Sequence, residues 1–182
     1  MMQPVDERTW DGVHQRLPAE LRRWISITEV DDGAFFVDDL FRRKFGDAPP
    51  AMGQGHHVVA FVRSGEGSFA PIAYTLFTRI GEICLVGGMS TDGRAFAHLD
   101  EAARRAVAEA GGLAYFLLHY GFARFGAAAY FGHVGDARAR EVDLRAGFRD
   151  TGHEHLMVYT PRPLADAHRA ALIAQAHAIG PF

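Results

Sequence analysis

Ten histidines in 182 residues give this sequence ample acid–base capacity near neutral pH. The best placed is His133, near the end of an apolar run from Ala127 to Val134 that reads as a strand. A neutral imidazole there can accept a proton. His119 falls in the middle of an apolar helical stretch and reads as a satisfied core histidine. His153 and His155 share one face of a strand expected over His153 to Tyr159, and His56-His57 opens another strand. Zinc would want a third ligand and tighter motif support; neither His-Glu-x-x-His nor Cys-x-x-Cys occurs, so no metal site is expected. Cys84, the single cysteine, lies in an apolar strand and reads as core packing rather than as a nucleophile. Glu82, at the start of that strand, reads as a solvated turn residue.

Glycines mark two places where a backbone could meet a ligand. Gly87-Gly88, followed by Met89, stands at the end of a strand, where adjacent glycines favour a bulge or a close approach. A bulge that separates neighbouring strands leaves backbone groups that an amide-bearing arm can satisfy. Farther on, Glu109-Ala110-Gly111-Gly112-Leu113-Ala114-Tyr115 turns the chain into a helix. The free N–H groups of such a helix start, together with its dipole, favour an anion such as a pyrophosphate.

The elements that must carry these residues follow from the hydrophobic period. Residues 6–24 read as two short helices, with Pro18 in the first turn of the second. Ile25 to Val30 alternates as a strand, and Phe35 to Phe45 is helical. Three strands then follow across short turns, His57–Val62, Phe69–Arg79 and Ile83–Met89, and such turns favour antiparallel neighbours. Between the third of them and the glycine turn lies a helical insertion, about 91–108, in which Phe96, Leu99, Ala103 and Val107 share one face. A helix from Leu113 to Phe125 is apolar nearly all round and therefore buried. The strand over Ala127–Val134, a helix over Ala137–Ala146, the strand over His153–Tyr159 and a C-terminal helix, about 164–178, complete the order. That interleaving predicts an α/β domain with a mixed, mostly antiparallel central sheet and helices on both faces.

Composition narrows the partners. Apolar residues make up 48% and charged residues 23%, with a net charge of −3. Lys44 is the only lysine and no basic run occurs, so neither nucleic acid nor a membrane surface is an expected partner. The first residues show no basic segment followed by an apolar one, and nothing points to an oxidising compartment, so a cytoplasmic location is expected.

From Gly87 to Phe148 the ordered set of motifs resembles the GNAT superfamily of acyl-CoA-dependent N-acyltransferases. There a strand ends in a bulge, a Gln/Arg-x-x-Gly-x-Gly/Ala turn opens a helix, and a further strand leads to an Asn-x-x-Ala-x-x-x-Tyr-x-x-x-Gly-Phe helix. The resemblance implies one domain over residues 1–182 with acetyl-CoA or another acyl-CoA as cosubstrate. It assigns cosubstrate binding to Gly87, Gly88 and Met89, to Gly111, Gly112, Leu113, Ala114 and Tyr115, and to Asp136 and Ala139. The acceptor it implies is an amine, of a small molecule or of a protein or peptide, and a homodimer is compatible with it.

Departures from the pattern are specific. Glu109 stands at the first turn position, Asp136 replaces the Asn, and Asp143 stands where the tyrosine acid is expected. Asp143 would need a strongly raised pKa to serve as that acid, and otherwise reads as a polar residue on an exposed helix face. His133 is the candidate base. A second register of the turn, Asp92-Gly93-Arg94-Ala95, lies 43 residues before Asp136 instead of 24. The departures keep a second function open, a non-catalytic relative that binds CoA as a sensor or scaffold.

Overall fold

The computed structural model describes residues 17–182. Its elements are α1 (Ala19–Arg22), β1 (Ile25–Val30), α2 (Gly33–Phe45), β2 (His56–Gly65), β3 (Ser68–Ile80) and β4 (Ile83–Thr91), then a 3-10 turn (Ala95–His98). After it come α3 (Glu101–Ala110), α4 (Leu113–Arg124), β5 (Ala129–His133), α5 (Ala137–Ala146), β6 (Arg149–Asp150), β7 (Leu156–Tyr159) and α6 (Asp166–Ile179). The second of the two short helices expected over 6–24 is α1, ahead of which Pro18 stands as N-cap; the first lies outside the described residues.

The described strands form one sheet in the order β1-β2-β3-β4-β5-β7-β6. All neighbouring pairs are antiparallel except β4 with β5. The predicted mixed, mostly antiparallel sheet is therefore present. Side-chain alternation sends Val58, Ala60, Phe77, Cys84, Val86 and Tyr130 to one face, where they pack with Leu99 ahead of α3, Ala103 and Val107 of α3, Leu113 and Leu117 of α4, and Phe148 just beyond α5. The other face is covered in two pieces. Val37, Leu40 and Phe41 of α2 pack on Val59 and Tyr74, while Leu172 and Ala176 of α6 pack on Ile83, Leu85 and Phe131. Helices thus lie on both faces.

Three expectations need correction. The insertion is not one helix: Asp100 caps α3 by accepting from the Ala103 N–H at 2.7 Å, so the chain breaks at Leu99–Asp100. The apolar period runs across the break, and Leu99, Ala103 and Val107 are still buried. The last strand begins at Leu156 rather than His153. Leu156 N–H donates to the His153 carbonyl, Thr151 Oγ1 donates to the Leu156 carbonyl, and His155 has φ 62°, so residues 151–155 form a turn. His153 and His155 therefore do not share a strand face. The short edge strand β6 has no counterpart in the sequence reading.

Candidate active site at the opening between β4 and β5

The parallel pairing of β4 with β5 runs from Ile83 opposite Ala129 to Val86 opposite Gly132 and then stops. β4 continues along β3 as far as Thr91, while β5 turns to β7 through His133. From Gly87 onward the β5-side backbone groups of β4 have no strand partner among the described residues, which leaves donors and acceptors open to a ligand. The expected bulge lies at this point. Leu76 faces Gly87 and Tyr74 faces Ser90, so Gly88 and Met89 together oppose Thr75 alone. Gly88 has φ 61°, and a Cβ there would stand 3.0 Å from the Phe41 ring. Thr75 Oγ1 donates to the Gly87 carbonyl at 3.2 Å.

Beneath the bulge lies a pair that sequence reasoning missed. Tyr74 and His57 are both fully buried, with Tyr74 Oη 2.8 Å from His57 Nδ1. His57 Nε2 lies 3.3 Å from the Ala51 carbonyl. A carbonyl can only accept, so Nε2 carries the proton and Tyr74 donates to Nδ1. Burial raises the Tyr74 pKa, which keeps that hydroxyl protonated.

Asp143 is the second surprise. The sequence suggested an exposed helix face, but the residue is only 6% exposed. Its side chain faces β5: a Cβ added to Gly132 would meet Asp143 Oδ2 at 3.0 Å. Gly132 is the last residue of β5 paired with β4, so the carboxyl stands at the apex of the opening. Burial, with a smaller contribution from the Asp136 charge, pushes its pKa up to about 7. A glycine inside a strand signals close approach, and Gly132 was the clue to this contact. Asp136 itself is exposed and caps α5, accepting from the Ala139 N–H at 2.8 Å.

His133 follows Gly132 and so faces the opposite side of the sheet. It is half-buried, with its ring 5.8 Å from that of His155 and 6.1 Å from that of Phe182. Asp143 and His133 thus flank the same opening from opposite faces. Phe182 had no sequence signal: its backbone lies on Gly87, where a Cβ would stand 3.2 Å from the Phe182 carbonyl carbon.

The glycine turn exists, with Gly111 at φ 98° and Gly112 at φ 96°. Gly112 caps α4 without a side-chain hydrogen bond, Leu113 is buried, and Ala114 and Tyr115 are half-buried. The side chain of Arg145, at the end of α5, lies against Gly111. The alternative turn directly follows β4. There the Asp92 N–H donates to the Ile72 carbonyl, and the Asp92 carboxylate accepts from the Arg94 N–H and pairs with Arg43.

The remaining candidates are accounted for by packing. Cys84 is buried, and burial pushes its thiol up to about 12, which leaves no thiolate at neutral pH. The His119 ring packs against Tyr115 and Phe122. Glu82 is exposed beside His168 at 3.2 Å, and His153 stacks on His177. Among the described residues no cluster of three or more His, Cys, Asp or Glu could hold a metal ion, and no helix is long and apolar enough to cross a membrane.

No family model matches the chain, and no curated protein matches it in sequence. Solved structures do resemble it. A nucleotide-linked sugar GNAT in its apo form is 11% identical, with 84% of this chain and 93% of that chain covered at a TM-score of 0.49. The ribosomal-protein-S18-alanine N-acetyltransferase from Escherichia coli is 11% identical over 78% of this chain and 97% of its own, at a TM-score of 0.48. A spermidine N-acetyltransferase chimera from Vibrio cholerae is 13% identical over 75% and 95%, at 0.47.

Proposed function

We propose that the protein transfers an acyl group, acetyl in the simplest case, from acyl-CoA to an amine. The observation that carries this reading is the parting of the parallel β4–β5 pair at Gly87, with a buried, neutral-prone carboxyl at its apex and an imidazole across it. An extended arm with two amides fits the free backbone edge of Gly87–Met89. The glycine turn at 111–115 would take the pyrophosphate, with Arg145 supplying the positive charge that Glu109 does not.

In this reading His133 removes a proton from the incoming ammonium, directly or through water. The amine nitrogen then bonds to the thioester carbonyl carbon. As the C–S bond breaks, the leaving thiolate takes the proton of Asp143, and the second proton lost by the nitrogen passes through water to the Asp143 carboxylate, giving amide, free thiol and the restored acid. An acid whose pKa lies near the working pH suits this role. The acceptor is an amine of a small molecule or of a protein or peptide.

Calorimetric titration with acetyl-CoA tests the reading. Binding is expected for the native sequence and should be lost in Gly112→Asp, which adds bulk and negative charge at an anion site. The absence of binding at millimolar cosubstrate would end the proposal. Loss in Gly93→Asp with retention in Gly112→Asp would move the anion site to the turn after β4. The second reading, a CoA-binding sensor without catalysis, draws on Phe182 lying over Gly87. It predicts a CoA-dependent rise in Tm with transfer to any amine at background.

A further inference from the structure

The residue that covers Gly87 belongs to no regular element and has no part in the chemistry described above. α6 ends at Ile179, and Gly180 turns the chain with φ 87° and ψ −165°. Pro181 is exposed, but Phe182 folds back, half-buried, onto the apolar cluster of Ile83, Leu85, Phe131 and Leu172. Its carbonyl oxygen lies 3.4 Å from where a Gly87 Cβ would stand, and its ring lies 6.1 Å from that of His133. Gly87 and His133 both point to the face that carries α2 and α6, whereas Asp143 is on the other. Phe182 therefore borders the approach to His133 from the α6 face.

We infer that Phe182 is the wall on the acceptor side of the opening, a specificity-determining residue that controls which amines reach His133 and keeps water from it. This rests on the acyltransfer reading for its chemistry, though the physical barrier does not. Contact with Gly87 is possible because that residue has no side chain. A methyl group there would press on the Phe182 carbonyl, so Gly87→Ala should lift the segment without altering it. Phe182→Ala should open the wall from the other side.

Two measurements decide this. Carbethoxylation of the histidines by diethyl pyrocarbonate, followed peptide by peptide in the mass spectrometer, reads access to His133 without any cosubstrate. In both variants His133 should react at least about threefold faster, while the exposed His98 stays unchanged as the internal standard. Equal His133 rates in both variants and the native protein would overturn the inference. Acetyl-CoA hydrolysis without acceptor should also rise several-fold in Phe182→Ala, with the CoA Kd held within about twofold. A roughly tenfold loss of CoA affinity with unchanged His133 reactivity would make Phe182 part of the cosubstrate cradle and refute the wall. If the native protein binds no CoA, the acyltransfer proposal fails, and the histidine reactivity alone still decides the barrier.

Discussion

The two sides of the β4–β5 opening are built in different ways. On the α5 side a carboxyl projects from the last turns of a regular helix onto a strand glycine, sealed from water. On the α6 side an imidazole is bordered by a turn, 151–155, and by a residue beyond the end of a helix. The first side sets a pKa, because burial on a rigid element penalises charge. The second sets access, because irregular segments can be shaped to a partner at little cost to the core. In the proposed chemistry, the acid that must stay protonated would sit behind the helix, and the base that meets the amine would sit where the chain can admit one.

The largest expected effect breaks this division of labour. Asp143→Ala and His133→Ala should each lower kcat/KM for acyl transfer on the order of 10²–10⁴-fold, the usual contribution of one positioned acid–base group. Both variants should retain CoA binding. Their pH profiles should separate the two sides. Activity that needs protonated Asp143 falls as pH rises through about 7, and Asp143→Asn should remove that falling limb while His133→Ala leaves it in place. A falling limb that survives Asp143→Asn would take the acid role away from Asp143.

A smaller effect sharpens the contrast through stability. The folded-state pKa of Asp143 is raised from 3.8 to about 7, so the folded protein binds more protons than the unfolded chain between those values. Stability from this group therefore falls as pH rises from about 4 to about 7 and is level above that. The shift corresponds to roughly 4 kcal/mol at its full extent. Asp143→Asn, which cannot ionise, should be more stable than the native protein at pH 8 by up to that amount and close to it at pH 4. Urea unfolding at the two pH values reads the difference directly. A variant equally destabilised at both would show that Asp143 is ionised or solvated in the fold.

How much of this was legible in the sequence follows the same division. Strand and helix periods gave the element order, because each of these segments buries one face against a single layer. The bulge at Gly88 was readable, since only backbone freedom and close approach explain two adjacent glycines there. The break at Asp100 was not, because an N-cap within a continuous apolar period looks like one more polar helix position. Asp143 was misjudged for a related reason. Helical period alone cannot show that a carboxyl faces a glycine in a strand eleven residues earlier, and that contact is what buries it. Phe182 meets Gly87 and His133 from segments far apart in sequence, and the His57–Tyr74 pair joins two neighbouring strands, with no local pattern to announce either contact.

The smallest expected effect comes from the glycine that lets the acid reach the apex. Gly132→Ala would put a methyl group 3.0 Å from Asp143 Oδ2, close enough that the carboxyl must yield by a few tenths of an ångström. A carboxyl at the end of a side chain can turn aside, so the cost of crowding should stay near the low end of about 1–3 kcal/mol. Loss of glycine's freedom in the unfolded chain offsets roughly 0.4–1 kcal/mol of it. Net stability near pH 5 should then change by about 1 kcal/mol or less. The informative quantity is instead the pH at which activity falls. The added methyl covers the little of the carboxyl that water still reaches, which favours its neutral form, so the falling limb should move slightly to higher pH than in the native protein. Movement to lower pH would mean that the crowded carboxyl has swung out to solvent. Gly87→Ala, the matching change on the other face, should leave that limb where it is, because among the described residues it presses upon Phe182 and not upon Asp143.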